Sequence, residues 1–349
     1  MSVPALDGAT AAVRGSIEEV ARSRLATLPT PLERGPGLPG GARLWVKRDD
    51  LTGLGAGGNK ARKLEFLCAE ALRAGARALV TVGAGQSNHC RMTAAAGAVL
   101  GLEVHLVLSG QRPSSYHGNQ LLAALFGAQL HFAGCPPHHW GELEIAREQL
   151  TAELREHGAA PHAIPIGGST ATGALGYALA YVELVEQCDE MGLRPAAVVH
   201  ASSSGGTHAG LVAGRALLRA AGRDDLPAVL AVGVAKGVVG GFPDVRGLAA
   251  ETAAIVGAGP GIVDAADVEL DARWLGDDYG IPSAAGDEAI RWGAIHGGWV
   301  FDRTYSGKGF AGLLGNAATG RWGPGDEVVF LHTGGAPALF APGGAPPLR

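Results

Sequence analysis

The stretch Arg48-Asp-Asp-Leu-Thr-Gly-Leu-Gly-Ala-Gly-Gly-Asn-Lys-Ala-Arg-Lys63 places a glycine-rich loop directly before an apolar segment with helical periodicity. Lys60 ends the loop and is one of only five lysines in the chain. A lysine that the backbone holds in such a position is a candidate amine nucleophile, and amines of that kind form imines with carbonyl cofactors. The stretch therefore directs the search for a site to Lys60.

Other interpretations of this loop compete with the imine. Gly53, Gly55 and Gly58 match the spacing of a dinucleotide-binding loop, but no acidic residue closes a second strand about 20 residues later. A nucleoside-triphosphate loop is excluded because Asn59 separates Gly58 from Lys60 and no Ser or Thr follows. On this stretch alone, an exposed loop with an ordinary lysine stays open.

Composition limits the class of protein. With 47% hydrophobic and 17% charged residues among 349, the chain predicts a globular protein of two domains, or of one large α/β domain with an inserted lobe. A net charge of −5 without a basic stripe gives no indication of nucleic-acid binding. No apolar run reaches the roughly 18 residues of a membrane span, and residues 1–17 lack the apolar core of a secretory signal. The four cysteines show no CxxC spacing. We therefore expect a cytoplasmic protein with reduced thiols, no metal ion and no membrane partner.

Short apolar runs alternate with longer helical patterns along the chain. This alternation predicts an α/β protein with open parallel sheets covered on both faces. The predicted strands cover residues 79–82, 104–108, 130–132, 197–200, 229–234 and 328–331. The predicted helices cover residues 61–74, 88–100, 119–126, 141–157, 174–190, 207–221 and 286–295. A Gly-, Ser- and Thr-rich join at residues 164–173 separates two blocks of such units.

A second motif, Ala201-Ser-Ser-Ser-Gly-Gly-Thr-His-Ala-Gly210, leads from a predicted strand into a predicted helix. Small residues let the backbone approach an anion, and N–H groups at the helix start with the Ser204 and Thr207 hydroxyls can bind a phosphate without a counter-charge. A tight turn with a Ser or Thr cap is the alternative. A serine-hydrolase elbow is disfavoured because Ala201 replaces its first glycine.

Two further motifs carry polar groups. Ser87 and Asn88 follow a predicted strand, where α/β proteins place ligand sites, and they can bind a carboxylate or a ring hydroxyl or simply cap a helix. Tyr279 and Tyr305 can transfer protons if a nearby cation lowers their pKa values, or they are buried tyrosines with one hydrogen bond each. An isolated lysine, a charge-free phosphate cup and polar strand ends together fit pyridoxal phosphate better than NAD or ATP.

Seven strings then occur in one family's order, and the set resembles the D-cysteine desulfhydrase / 1-aminocyclopropane-1-carboxylate deaminase family of pyridoxal-phosphate enzymes. The resemblance covers about residues 25 to 341. The strings are Lys47-Arg-Asp-Asp-Leu-Thr52, Gly57-Gly-Asn-Lys-Ala-Arg-Lys-Leu-Glu-Phe66, Gln86-Ser-Asn-His89, Gly173-Ala-Leu-Gly-Tyr177, Gly206-Thr-His-Ala-Gly210, Tyr305-Ser-Gly-Lys308 and His332-Thr-Gly-Gly-Ala336.

This resemblance implies a tryptophan-synthase-β-like architecture (fold type II of the pyridoxal-phosphate enzymes) with two open, twisted parallel-sheet domains in a homodimer. It implies a larger cofactor-binding domain of residues 1–60 and 162–349 and a smaller inserted α/β domain of residues 61–161. The implied catalytic residues are Lys60, which holds the cofactor covalently, Ser87 beside the substrate carboxylate, and Tyr279 and Tyr305 facing the substrate. The implied cofactor-binding residues are Asn88 on the ring hydroxyl, the phosphate-binding Ser204, Gly205, Gly206 and Thr207, and also Ser306 and Thr333.

Ser306 and Thr333 discriminate within the family. Its deaminases carry Glu and Leu at these two places, whereas Ser and Thr are the desulfhydrase pattern. A carboxylate near the ring nitrogen keeps that nitrogen protonated, and a hydroxyl tolerates a neutral one. The resemblance thus implies elimination from a β-substituted amino acid, foremost D-cysteine giving pyruvate, hydrogen sulfide and ammonia. An L-cysteate sulfo-lyase, a 1-aminocyclopropane-1-carboxylate deaminase and a non-catalytic protein that binds pyridoxal phosphate or an amino acid are the alternatives. Whether Lys60 or a tyrosine removes the α proton stays open.

Overall fold

The chain folds into two β-sheets with helices on their faces. The computed structural model describes residues 8–241 and 243–348. The first seven residues of the expected larger domain lie outside the described part. The strands are β1 (Leu32–Gly37), β2 (Arg43–Lys47), β3 (Ala78–Gly83), β4 (Glu103–Leu108), β5 (Gln129–Phe132), β6 (Pro161–Ala163), β7 (Ala197–Ser202), β8 (Ala228–Gly233), β9 (Glu269–Asp271) and β10 (Glu327–Leu331). The helices are α1 (Gly8–Glu18), α2 (Lys60–Arg73), α3 (Asn88–Leu100), α4 (Gly118–Leu125), α5 (Trp140–Glu156), α6 (Ala171–Met191), α7 (Gly206–Ala220), α8 (Lys236–Val239), α9 (Val245–Ile255), α10 (Ala284–Gly297) and α11 (Ser306–Ala318).

The larger sheet has the strand order β1-β2-β10-β7-β8-β9 and the smaller sheet the order β5-β4-β3-β6. All pairs are parallel except the edge pair β1–β2, which is antiparallel. Every residue of β3 is buried, as expected for a strand covered by helices on both faces. The expected α/β class with two parallel sheets is confirmed, with the addition of the antiparallel edge strand.

Each of the six predicted strands and seven predicted helices overlaps an observed element, within a few residues at the ends. The sequence analysis missed several elements: β1, β2, β6, β9, α1, α8, α9 and α11. The glycine-rich α11 matters most, because it begins one residue after Tyr305 and packs against β7 and β8.

Helices cover both faces of the larger sheet. On one face α6 and α7 pack closely and form a core with α9. On the other face α10 and α11 enclose an aromatic core that includes Phe301, Phe310 and Phe330. A third core lies between the smaller sheet and helices α2, α3 and α4. All four cysteines are buried and free. Within the described residues, no helix is both long and apolar enough to cross a membrane.

Candidate active site

One cavity gathers most of the predicted site residues at the carboxyl ends of β3 and β7. The empty space among its walls, counted out to the open mouth and including solvent there, is about 690 Å³. Nine of the eleven predicted residues line it: Lys60, Ser87, Asn88, Ser204, Gly205, Thr207, Tyr279, Tyr305 and Thr333. Gly206 and Ser306 are not among the lining residues.

The glycine-rich loop before Lys60 determines where α2 begins. Gly57 and Gly58 have φ values of 74° and 129°, which L side chains rarely adopt. The Thr52 hydroxyl accepts a hydrogen bond from Gly58 N at 2.9 Å and donates one to Gly58 O at 2.8 Å. Asn59 N donates to the carbonyl of Thr333 at 3.0 Å. The backbone therefore holds Lys60 as the first residue of α2, as the sequence predicts.

A buried ionic network anchors the next turn of α2. Arg62 is 1% exposed and donates to Asp49 and Glu183, while Lys47 donates to Glu183 at 2.5 Å. Tyr177 of α6 also donates to Asp49 at 2.6 Å. Buried charges persist only when paired and hydrogen-bonded. Three of the recognised strings thus meet in this network, and their charged residues support the Lys60 helix without lining the cavity.

The Lys60 amine is half-buried, and its Nζ donates to the Gly167 carbonyl at 3.4 Å. Burial lowers the pKa of Lys60 to about 8, and the contact with Lys63 offsets this only in part. A lysine with such a pKa is partly neutral near physiological pH, which is the state that attacks carbonyl groups. The geometry therefore fits the nucleophile that the sequence predicts.

Lys63 lies beside the cavity without lining it, and the sequence analysis did not single it out. It is fully buried one turn after Lys60, and its Nζ donates to the Gly167 carbonyl at 3.1 Å and lies 3.4 Å from the Ser169 hydroxyl. Burial lowers the pKa of Lys63 well below its ordinary value, and the charge of Lys60 lowers it further. Residues three apart share one helix face, so the spacing could have identified Lys63.

The predicted phosphate cup connects β7 to α7. Gly205 has φ of 77°, and a Cβ atom on Gly206 would lie 2.6 Å from Lys63 Nζ. The Ser169 hydroxyl donates to Ser204 Oγ at 2.9 Å and accepts from Gly206 N at 3.2 Å. The Lys63 amine therefore lies beside the cup, a neighbour that the sequence analysis did not include. A helix start with free N–H groups and a neighbouring amine donor is suited to bind an anion.

Ser87 and Asn88 open α3 at the end of β3. Ser87 caps the helix, since its Oγ accepts from Cys90 N at 3.2 Å, and it also lines the cavity. The Asn88 Oδ1 accepts from Asn119 Nδ2 at 3.0 Å. The helix-cap and ligand interpretations of this motif are therefore compatible for Ser87.

Tyr279 and Tyr305 meet in the cavity through a hydrogen bond between their hydroxyl groups. Burial raises the pKa of Tyr279 to about 12 and raises the pKa of Tyr305 well above its ordinary value. Of the two interpretations that the sequence leaves open, the buried tyrosine with one hydrogen bond fits these pKa values, because burial is the main cause of both shifts. Both phenols are protonated at neutral pH and suit proton donation better than proton abstraction.

The Ser306 hydroxyl is fully buried at the start of α11. It donates to Asp302 Oδ2 at 2.9 Å and accepts from Asp302 N at 2.8 Å. The Asp302 carboxylate also accepts from the backbone N–H groups of Thr304 and Tyr305, and burial raises its pKa. Thr333 lines the cavity whereas Ser306 stabilises its edge, so contact between Ser306 and a ring nitrogen stays a prediction.

Trp140 and His89 also line the cavity, and the sequence analysis singled out neither. The Trp140 ring lies edge-on to Tyr279, with ring centroids 5.8 Å apart. His89 is buried with Nε2 2.9 Å from the Thr81 hydroxyl, and burial lowers its pKa well below the ordinary value. An apolar wall and a neutral imidazole therefore complete the cavity.

This donor set fits an anionic carbonyl cofactor, since the Lys60 amine of lowered pKa shares one cavity with a phosphate cup of hydroxyl and backbone N–H donors. Residues 24–334 match the family described as "Pyridoxal-phosphate dependent enzyme". The chain belongs to this family of enzymes, and pyridoxal phosphate is its cofactor. It is 40% identical over 330 residues to a D-cysteine desulfhydrase of Salmonella typhi, which covers 92% of this chain and 95% of the relative. It therefore belongs to the D-cysteine desulfhydrase / 1-aminocyclopropane-1-carboxylate deaminase group.

Two solved structures share the architecture. The structure of an "ACC deaminase homologue" superposes with a TM-score of 0.82 at 33% identity, covering 94% of this chain and 96% of the other. A threonine deaminase from T.th. superposes with a TM-score of 0.62 at 22% identity, covering 97% of this chain and all of the other. The second likeness shows the fold alone.

Proposed function

We propose that this enzyme catalyses α,β-elimination of a β-substituted amino acid, with D-cysteine giving pyruvate, hydrogen sulfide and ammonia. The observation that carries the proposal is the cavity in which the Lys60 amine, the Tyr279–Tyr305 pair and the phosphate cup meet. The Salmonella typhi relative named D-cysteine desulfhydrase supports the choice of substrate.

We assign the cofactor contacts from the chemistry of the cavity. Lys60 would bind the aldehyde, and Ser204, Gly205, Gly206 and Thr207 would hold the phosphate, with the Lys63 amine as a further donor beside them. Asn88 would contact the ring hydroxyl. The bound cofactor supplies an electron sink that stabilises negative charge at the substrate α carbon.

The side chains of this chain would divide the proton transfers by their pKa values. Lys60, with a pKa of about 8, would take the α proton of the substrate at Nζ. The protonated Tyr279–Tyr305 pair would deliver a proton to the departing sulfur, and Ser87 would bind the substrate carboxylate. Trp140 would exclude water from this end of the cavity.

The elimination balances with one added water. The Cα–H and Cβ–S bonds break, the electron pair of the latter leaves with the SH group as HS⁻, and one proton, equal to the one lost from Cα, completes hydrogen sulfide. The three-carbon product then takes up water and releases ammonia to give pyruvate. No oxidant or reductant is required.

Ser306 and Thr333 support elimination over ring opening. The buried Ser306 hydroxyl already donates to Asp302. Thr333 lines the cavity wall with a neutral hydroxyl. Neither residue supplies the carboxylate that would keep a ring nitrogen protonated. We therefore place the 1-aminocyclopropane-1-carboxylate deaminase and L-cysteate sulfo-lyase activities as alternatives for the assay to decide.

A product assay across five substrates tests the proposal. The purified enzyme with pyridoxal phosphate is given D-cysteine, L-cysteine, L-cysteate, β-chloro-D-alanine or 1-aminocyclopropane-1-carboxylate, and the 2-oxo acid is measured. We expect pyruvate from D-cysteine and β-chloro-D-alanine at the highest kcat/KM. Pyruvate from L-cysteate alone would show that L-cysteate, and not D-cysteine, is the substrate. Formation of 2-oxobutyrate from 1-aminocyclopropane-1-carboxylate would show that the reaction is ring opening and not β-elimination. No product from any substrate would favour a non-catalytic binding protein.

We further propose the division into residues 1–60 with 162–349 and residues 61–161, which separates the six-stranded from most of the four-stranded sheet. A homodimer in the cytoplasm, as the resemblance implies, also stays a proposal. Size-exclusion chromatography with light scattering tests the dimer.

A further inference from the structure

Arg91 is a fully buried guanidinium close to the cavity that the proposed chemistry does not use. Its Nη1 donates to the carbonyls of Gly55 at 2.5 Å and Gly57 at 2.8 Å, in the loop that leads to Lys60. Its Nε donates to Asn119 Oδ1 at 3.1 Å, and its Nη2 lies 3.5 Å from Asn88 Oδ1. Within the described residues, these hydrogen bonds all go to neutral oxygens. A buried cation of this kind is costly unless its donors have a specific task.

The donors and acceptors in the hydrogen bonds around Arg91 can be assigned in only one way. Arginine donates and never accepts, so the atom of Asn119 that faces Arg91 Nε is its oxygen. The Asn119 amide nitrogen then donates to the Gln86 carbonyl at 2.9 Å and to Asn88 Oδ1 at 3.0 Å. A backbone carbonyl accepts and never donates, so both ends of Asn119 are determined.

The same logic fixes the amide of Asn88. Its Oδ1 accepts from Asn119 Nδ2 and faces Arg91 Nη2, both of which are donors. Its NH₂ group is consequently the end left for the cavity that Asn88 lines. An amide held in this way can donate to a ligand but cannot accept from one.

We propose that Arg91 and Asn119 are positioning residues that hold the Asn88 amide with its NH₂ turned into the cavity, so that this position binds the ring oxygen of the cofactor in its deprotonated form. The inference rests on the proposed contact between Asn88 and pyridoxal phosphate. Arg91 also donates to the loop that leads to Lys60, so one guanidinium positions both the Lys60 amine and the Asn88 amide.

A double-mutant cycle tests whether Asn119 acts through Asn88. The apoproteins of the unmodified chain, Asn119→Ala, Asn88→Ala and the double variant are titrated with pyridoxal phosphate, and the dissociation constant is read from visible absorbance. We expect Asn119→Ala to weaken binding about tenfold, the loss of one oriented hydrogen bond. In the Asn88→Ala background the same substitution is expected to change the dissociation constant less than twofold.

Two controls separate positioning from general stability. Asn316 is a buried asparagine that donates to Asp271 away from the cavity, and Asn316→Ala is expected to lower the melting temperature without changing cofactor affinity. Arg91→Lys keeps the charge but loses the planar fork, and it is expected to weaken cofactor binding more when Asn88 is present than when Asn88 is Ala, because its contacts with the Lys60 loop are lost in both backgrounds.

Equal losses in the two backgrounds would overturn the positioning role while leaving the cofactor contact in place. Failure of every protein, including the unmodified chain, to take up pyridoxal phosphate would refute the cofactor assignment itself. The midpoint of the pH-dependent visible absorbance gives a second readout. We expect it to rise in Asn119→Ala because the deprotonated ring oxygen loses its oriented donor.

Discussion

Arg62 Nε lies 2.8 Å from Asp49 Oδ2, and its Nη2 lies 2.8 Å from Asp49 Oδ1. This two-pronged pair joins the helix that begins at Lys60 to the segment that follows β2. Burial alone would raise the pKa of Glu183, but Arg62 and Lys47 lower it to about 2, so the carboxylate is charged. The ionic network therefore stabilises the helix that begins at Lys60.

Removal of Arg62 tests this support. In Arg62→Met, two buried carboxylates lose their main partner, and we expect the free energy of unfolding to fall by about 3–5 kcal/mol. Urea titration followed by circular dichroism measures it. Arg43→Met is the control, because Arg43 is half-exposed and pairs with Glu327 at the surface; we expect a change below about 1 kcal/mol. Equal effects of the two substitutions would show that burial of the pair has no special consequence.

The lowered pKa of Lys60 predicts how cofactor loading depends on pH. Burial disfavours the ammonium form, so the neutral amine is present above a pKa of about 8 and is lost as the pH falls below it. The rate at which the apoprotein takes up pyridoxal phosphate should rise with pH and level off above pH 8. Stopped-flow absorbance measures the rate. A rate that continues to climb up to about pH 10, as for an unperturbed lysine, would contradict the assignment.

The hydrogen-bonded phenols of Tyr279 and Tyr305 predict non-additive effects. Because both are protonated and share one hydrogen bond, either Tyr→Phe change should lower kcat about 100-fold by removing the acid or its partner. The double variant should fall within about threefold of the weaker single variant. Steady-state kinetics with D-cysteine measure this, and cofactor binding should be unchanged. Effects that multiply would show that the two hydroxyls act independently.

Lys308 predicts a separate effect on the loop before Tyr279. Its buried ammonium donates to the carbonyls of Leu275 at 2.6 Å and Asp278 at 3.1 Å. In Lys308→Met these bonds are lost and Tyr279 shifts, so kcat should fall about 10- to 100-fold with a smaller change in KM.

Lys236→Met is the matched control for Lys308→Met. Lys236 is exposed and pairs with the Asp278 side chain at 2.8 Å, so it contacts the same loop from the outside. Surface ion pairs contribute about 0–1 kcal/mol, and we expect kcat to stay within about twofold. If the two variants behave alike, Lys308 does not position Tyr279.

Periodicity identified the buried strands because β3, β4, β7 and β10 are short apolar runs between turn residues. It failed for α11, where Gly307, Gly309 and Gly312 argue against a helix. The structure gives the reason, since a Cβ atom on Gly309 would lie 2.9 Å from that of Ala201 on β7. The glycines let α11 approach the sheet closely, and such tertiary packing leaves no signal in local propensity.

Some residues of the site could likewise be predicted from sequence motifs, and others could not. Motif strings located Lys60, Ser87 and the cup because their chemistry is local to one loop. Arg91 and Ser169 act through contacts between segments far apart in the chain, which a single sequence does not report. The raised pKa values of Tyr279 and Tyr305 could not be predicted for the same reason, because burial and the neighbouring groups set them and neither can be read from composition.

The central claim, that Lys60 among five lysines carries the cofactor in an eliminating enzyme, has one direct test. The holoenzyme is reduced with borohydride, which makes the linkage between the amine and the cofactor's aldehyde permanent, and its peptides are mapped by mass spectrometry. We predict the pyridoxyl phosphate mass on Lys60 alone, with loss of pyruvate formation from D-cysteine. A label on Lys63 or Lys308 with Lys60 unmodified would contradict the account.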